Sequence, residues 1–297
     1  MSVVTATVVP VDLLGRVRGL VSARLAEVAC SLGGGLNPAQ LAPGKMLRSR
    51  LAARLVAAGA GGCRPSTVEA ICAAVEIVHT ASLFHDDVID GAPFRRARPT
   101  LWRESGSTAA VLVGDVLLCE AMALVVETEG GSCVPTFVEK VREVCRTEAE
   151  QELVLRRRRL DQSTCLAIAR GKTGPLFALV ALVCGGEDDV LRAALEEAGY
   201  RVGSAYQLAD DLLDAFGDPD VAGKTLRTDR RRRKFTLAQC PGDGGDARRL
   251  VAELCRSAAR CLESWPSLQG GLRRYLAEDL QPVLRRYDPR LGVMSEP

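Results

Sequence analysis

Two acidic pentads, Asp86-Asp87-Val88-Ile89-Asp90 and Asp210-Asp211-Leu212-Leu213-Asp214, stand far apart in a chain of 297 residues. Each lies in an apolar stretch with helical periodicity, where residues three and four apart share one face. In the first stretch Glu76, His79, Leu83, Asp86 and Asp90 are spaced 3, 4, 3 and 4. In the second, Gly203, Gln207, Asp210 and Asp214 are spaced 4, 3 and 4. A stripe of carboxylates in such surroundings needs a counter-charge. Hard divalent cations of the magnesium type, which prefer oxygen ligands, supply one. Two such helices facing a cavity would present both clusters to one anionic substrate through metal.

Phosphate oxygens also call for cationic side chains. Lys45 and Arg48 belong to the segment Gly44-Lys45-Met46-Leu47-Arg48, and Arg95, Arg96 and Arg98 follow the first pentad. Lys172-Thr173 stands between Gly171 and Gly174 and is read as breaking a long helix. Lys224 follows Gly223, and Lys234 precedes Phe235. The runs Arg156–Arg159 and Arg230–Arg233 read instead as solvated faces. The two histidines both lie just before the first pentad. His79 shares the carboxylate stripe and suits an anionic substrate, whereas His85 points ~100° away from Asp86 and reads as structural.

These residues must be positioned by helices. Aromatic residues make up only 4% of the chain, while Ala, Leu, Val and Arg dominate, a balance that favours helix over sheet. Periodicity predicts helices over Val11–Ser31, Lys45–Ala58, Thr108–Glu127, Phe137–Arg159, Ser163–Cys184 and Glu187–Ala215. A long helix N-capped by Ser66 is expected to run to Asp90, and the tail Asp246–Tyr287 is again helical. No strand alternation is seen, so one all-α domain of about ten helices is expected over residues 1–297. The eleven scattered cysteines form no C-x-x-C pair, which suggests neither zinc nor disulfides and fits a reducing, cytoplasmic setting. A net charge of +2 argues against a nucleic-acid binder. Without an uninterrupted apolar run of about twenty residues, no transmembrane segment is expected. The start, Met1–Pro10, lacks the basic residues and cleavage site of a signal peptide.

Taken in order, the motifs resemble the trans-isoprenyl diphosphate synthases, or polyprenyl synthetases. The matching stretches are G-K-M-L-R at 44–48, E-I-V-H-T-A-S-L-F-H-D-D-V-I-D at 76–90, F-R-R-A-R-P-T at 94–100 and G-D-V-L-L at 114–118. They continue with G-K-T-G-P-L-F at 171–177, Y-Q-L-A-D-D-L-L-D at 206–214, and G-K followed by D-R-R-R-R-K-F-T-L between 223 and 237. The resemblance implies a bundle around a deep central cavity, usually a homodimer, that joins isopentenyl diphosphate to an allylic diphosphate. It implies that Asp86, Asp87, Asp90, Asp210 and Asp214 hold magnesium, three ions with substrate bound, and that Asp211 completes the second acidic motif. It assigns Arg95, Lys172, Thr173, Gln207, Lys224 and Lys234 to the allylic diphosphate, and Lys45, Arg48, His79 and Arg96 to isopentenyl diphosphate. Ala97 departs from the family, which often has glycine there.

In that family the residues four and five before the first pentad tend to set product length. Here they are Ser82 and Ala81, both small, and the pentad carries no two-residue insertion. A product longer than farnesyl is expected, partitioning to membranes. Farnesyl or geranylgeranyl synthesis is the alternative. A terpene cyclase would not need the second basic set, Lys45, Arg48 and Arg96. A head-to-head synthase lacks the Arg95-Arg96 pattern, and a regulatory subunit would usually have lost one pentad.

Overall fold

The computed structural model describes residues 12–33, 36–37, 40–61, 63–95, 97–128, 131–217, 226, 234–239 and 245–292. The chain begins with α1 (Leu13–Ser31), capped by the Asp12 carboxylate, which accepts from Gly15 N at 2.9 Å. Then come α2 (Leu47–Ala57) and α3 (Pro65–Asp90). Pro65 opens α3 from an extended Arg64, so the helix starts one residue before the expected Ser66 cap; proline's fixed φ suits that first position. Gly91, at φ 59°, ends α3 directly after Asp90 in the left-handed conformation that glycine adopts without strain.

A two-residue hairpin, β1 (Phe94–Arg95) against β2 (Arg98–Pro99), is the sheet present among the described residues. Then α4 (Leu101–Val126), kinked at Gly106, precedes α5 (Val134–Glu150), which runs into a π-helical turn at Gln151–Leu155. The two central helices follow, α6 (Gln162–Leu182) and α7 (Asp189–Phe216). The tail is broken into α8 (Gly245–Arg260), α9 (Pro266–Arg274), a π turn at Tyr275–Leu280 and α10 (Gln281–Tyr287). Prolines at 266 and 282 each restart a helix there.

The expected break at Lys172-Thr173 is absent, for α6 is continuous through both residues. The glycines beside them serve close approach instead. A Cβ at Gly203 of α7 would fall 2.7 Å from the Gly174 Cα, and one at Gly199 would fall 2.5 Å from the Ala178 Cα. Backbone therefore meets backbone, and α6 and α7 pack along most of their length. Helix α5 is fastened to α7 by the buried Lys140, which donates to Glu196 and, at 2.9 Å, to the Tyr200 hydroxyl.

Residues on every side of α3 between Ile71 and Val78 are buried, as are those of α6 from Thr173 to Leu182. An all-round apolar helix belongs in the middle of a bundle. By length and composition α3, α4 and the stretch Gln162–Gly185 are apolar enough to cross a membrane. A spanning window tolerates one or two charges, so counting uninterrupted runs passed over these helices. Most of the α3 and α6 windows are nonetheless packed inside the protein.

The α6–α7 contact gives a direct test. Gly203→Val forces a branched side chain against backbone that cannot yield, so unfolding should cost less by about 1–3 kcal/mol, seen as a lower Tm.

Candidate active site

One cavity of about 580 Å³ opens among α2, α3, α5, α6 and α7, and residues 234, 236 and 287 also line it. Asp86 and Asp90 of α3 line it, as do Asp210, Asp211 and Asp214 of α7. The two pentads thus face one space, as their helical spacing requires. Asp87 does not line it. One residue along a helix is ~100° around, and Asp87 is buried where Arg95 Nε donates to it at 2.8 Å. Arg95 itself reaches the cavity.

The centre is a charge cluster. Lys172 forms an ion pair with Glu148 of α5 and lies close to Asp86. Burial pushes the Asp86 carboxyl up to about 6, with Lys172 pulling it back and Glu148 and Asp90 adding to the rise. Burial alone would lower the Lys172 pKa, but Glu148 and Asp86 carry it well above the ordinary lysine value. Lys172 is therefore a fixed cation. Burial also raises Asp87, against the pull of Arg95. On α7, Gln207 Nε2 donates to Asp211 at 2.8 Å and its carbonyl accepts from the buried Thr173 hydroxyl at 2.5 Å. Lys234 is buried with Nζ 3.5 Å from Asp90. It meets the first pentad across the cavity that the second also lines.

The other end of the cavity is basic. Lys45, Arg48 and His79 line it. Arg48 is buried, its guanidinium 5.1 Å from the Phe177 ring centre, and its Nε has no hydrogen-bond partner among the described residues. Glu76, on α3, fixes this end. Its carboxylate accepts from Ser49 N at 3.1 Å and from the Ser49 hydroxyl at 2.8 Å, capping the start of α2. Met46 before it takes a left-handed φ of 53°. Ser82 lines the cavity, whereas Ala81 is wholly buried away from it. Leu118 and Met122 are also off the wall; Leu83, Val144, Ile168, Leu176 and Phe177 form its apolar part. Arg96 and Lys224 lie outside the described residues, as does the run at 230–233.

Sequence reasoning missed Glu148, Gln151, Tyr206 and Tyr287, all of which line the cavity. The spacing of Val141, Val144, Glu148 and Gln151, at 3, 4 and 3, could have revealed the first two. Nothing in the sequence places Tyr287, which lies far from every motif.

Among the described residues no three acidic, His or Cys side chains converge closely enough to hold an ion alone. Magnesium is often held by one or two carboxylates, with substrate phosphates completing its shell. Asp86 and Asp90 facing the α7 carboxylates across one cavity fit that mode.

A family profile described as polyprenyl synthetase matches residues 36–244, well over half of the chain. The chain belongs to that family. It is a prenyltransferase with the all-α fold of the isoprenoid synthases. It is 36% identical over 274 residues to the (2E,6E)-farnesyl diphosphate synthase of Mycobacterium tuberculosis, covering 86% of this chain and 76% of that one. To the octaprenyl diphosphate synthase of Haemophilus influenzae it is 32% identical over 198 residues, 65% of this chain and 59% of that one. The polyprenyl synthase of Caulobacter crescentus, solved with calcium and isoprenyl diphosphate, superposes with a TM-score of 0.68 at 27% identity, covering 93% of this chain and 92% of that one.

The raised Asp86 carboxyl makes a pH prediction. Its folded value near 6 lies above the ordinary 3.8, so its contribution to stability is full below about pH 4 and is lost as pH rises through 6. Metal-free protein should weaken over that interval in denaturant titrations. Asp86→Asn should flatten the dependence while abolishing turnover.

Proposed function

We propose that this prenyltransferase joins isopentenyl diphosphate head to tail (1'-4) with an allylic diphosphate, giving a trans-polyprenyl diphosphate and releasing diphosphate. The observation that carries this reading is a single cavity with two unlike ends. Carboxylates and Lys172 crowd one end, and Lys45, Arg48 and His79 line the other. The acidic end suits an allylic diphosphate held through divalent cations, three in number when substrate is bound. Asp86, Asp90, Asp210 and Asp214 would hold them, with Asp87 kept in place by Arg95. A bound cation supplies charge stabilisation to the departing diphosphate. Lys172, Arg95, Lys234 and Lys224 add fixed positive charge where negative charge develops, and Thr173 and Gln207 orient the α7 carboxylates. Isopentenyl diphosphate takes the basic end, where Arg48, with Arg96, meets its phosphates. The allylic C–O bond breaks, the isopentenyl double bond attacks the allylic carbon, and the proton lost goes to the released diphosphate. Leu83, Val144, Ile168 and Leu176 exclude the water that would quench the cation.

We assign a product longer than farnesyl, since Ser82, one turn below Asp86, puts a small residue in the wall beside the growing tail. The farnesyl reading is favoured by Ala81, which faces away from the cavity and so leaves only one small residue to clear the path. Incubation with each allylic primer and excess isopentenyl diphosphate, followed by chromatography of the dephosphorylated products, decides between them. Elongation that stops at fifteen carbons sinks the longer product. Ser82→Phe should shorten the product, and an unchanged length removes Ser82 from that role. Ala81→Tyr is the poorer probe, because it overpacks a filled core.

A homodimer fits the outer face of α4, where Val111, Leu112, Met122 and Val126 are exposed together. The free cysteines, with Cys72, Cys165, Cys184 and Cys255 buried, suit a reducing cytoplasm. Leu112→Glu should shift the protein toward monomer in sedimentation velocity, and an unchanged mass would place any dimer contact elsewhere.

A further inference from the structure

The last helix brings an unassigned residue into the site. Tyr287, the final residue of α10, lines the cavity beside Lys45. Its hydroxyl accepts from Lys45 Nζ at 3.4 Å and lies 2.8 Å from the Tyr206 hydroxyl. The Lys45 ammonium also stands 5.0 Å from the centre of the Tyr287 ring, within range of a cation–π attraction. Phe177, Tyr206 and Tyr287 form a tilted row with centroids 6.1 Å apart at each step. Arg48 packs on its first ring and Lys45 on its last. The row therefore underlies both cations of the Gly44–Arg48 segment.

The chain after Tyr287 is pinned. The buried Asp288 accepts from Arg248 Nε at 2.6 Å, from Arg290 Nε at 3.0 Å and from Arg290 N at 3.0 Å. Burial works against this carboxylate, yet the bonds from Arg290 and Arg248 hold its pKa down to about 2. Its clamp is thus complete above about pH 4 and fails only as pH falls toward 2. Leu291 is buried three residues on. Burial, with Tyr206 and Asp210 nearby, raises the Tyr287 pKa, so its hydroxyl stays neutral and free to hydrogen-bond.

Lysine carries a compact charge on a flexible four-carbon stem, and ordering that stem at the moment of binding weakens affinity. We propose that Tyr287 is a positioning residue, the tip of a C-terminal latch that holds the Lys45 ammonium in place for the diphosphate bound at the basic end of the cavity. The proposal rests on reading that end as the isopentenyl diphosphate pocket. The latch acts before substrate arrives, which separates it from residues that touch the reacting carbons.

Steady-state kinetics with the full chain provide the test. Tyr287→Ala should raise KM for isopentenyl diphosphate about tenfold and leave KM for the allylic substrate within about twofold. Tyr287→Phe keeps the ring and should raise it only about threefold. Asp288→Asn, with folding checked by circular dichroism, should give the same selective rise through a loosened tail. Equal rises in both KM values, or none, overturn the latch. Absent wild-type turnover would instead remove the functional reading, and binding then decides the latch. Calorimetric titration with inorganic diphosphate in excess chelator removes metal-mediated binding at the acidic end, and a Lys45→Ala control identifies the part of the signal that belongs to the basic end. Weaker binding to Tyr287→Ala supports the latch, and unchanged binding overturns it.

Discussion

Lys172 sits where three helices meet, and its charge governs how the acidic end can exist at all. Asp86, Asp90 and Glu148 all face it from α3 and α5. Buried carboxylates without a nearby cation would be expelled or protonated. With Lys172 fixed on α6 and Lys234 beside Asp90, three carboxylates share two nearby cations, and burial still raises the Asp86 carboxyl. The cluster is therefore short of positive charge by design of its neighbours, and a site in that condition has affinity for cations. Removing Lys172 would change the identity of the site more than its shape.

Helix packing places that cluster opposite the α7 pentad. Because Gly174 and Gly203 let two backbones touch, α7 lies close enough for Gln207 to bridge Thr173 and Asp211. A wider crossing would separate Lys172 from the second pentad and leave the cavity as a cleft. The glycines next to Lys172-Thr173 thus act on chemistry through distance, and the continuity of α6 is what makes that distance fixed.

Much of this was legible in the sequence, for reasons that differ by residue. Asp86, Asp90, Asp210 and Asp214 announce themselves because helical periodicity converts spacing directly into a shared face. Lys45 and Arg48 are readable from a short local motif, and the all-α class from composition. What could not be read depends on contacts between distant segments. Asp87 shares its motif with Asp86, yet the hairpin that carries Arg95 claims it. The contact of Lys234 with Asp90 joins positions 144 residues apart, which no local spacing could reveal. The glycines around Lys172 carry the same letters whether they end a helix or let one approach another, and only the packed partner decides.

Glu76 has a consequence that reaches across the whole cavity. It caps α2, and so holds the segment bearing Lys45 and Arg48, yet it belongs to the same helix as Asp86. Ten residues of helix separate the two, a rise of ~15 Å at ~1.5 Å per residue. The spacing between Asp86 and the segment bearing Lys45 and Arg48 is therefore set in part by the length of one helix. Walls may be remodelled residue by residue around it, widening or narrowing the space for a hydrocarbon tail, while the two phosphate grips keep their gauge.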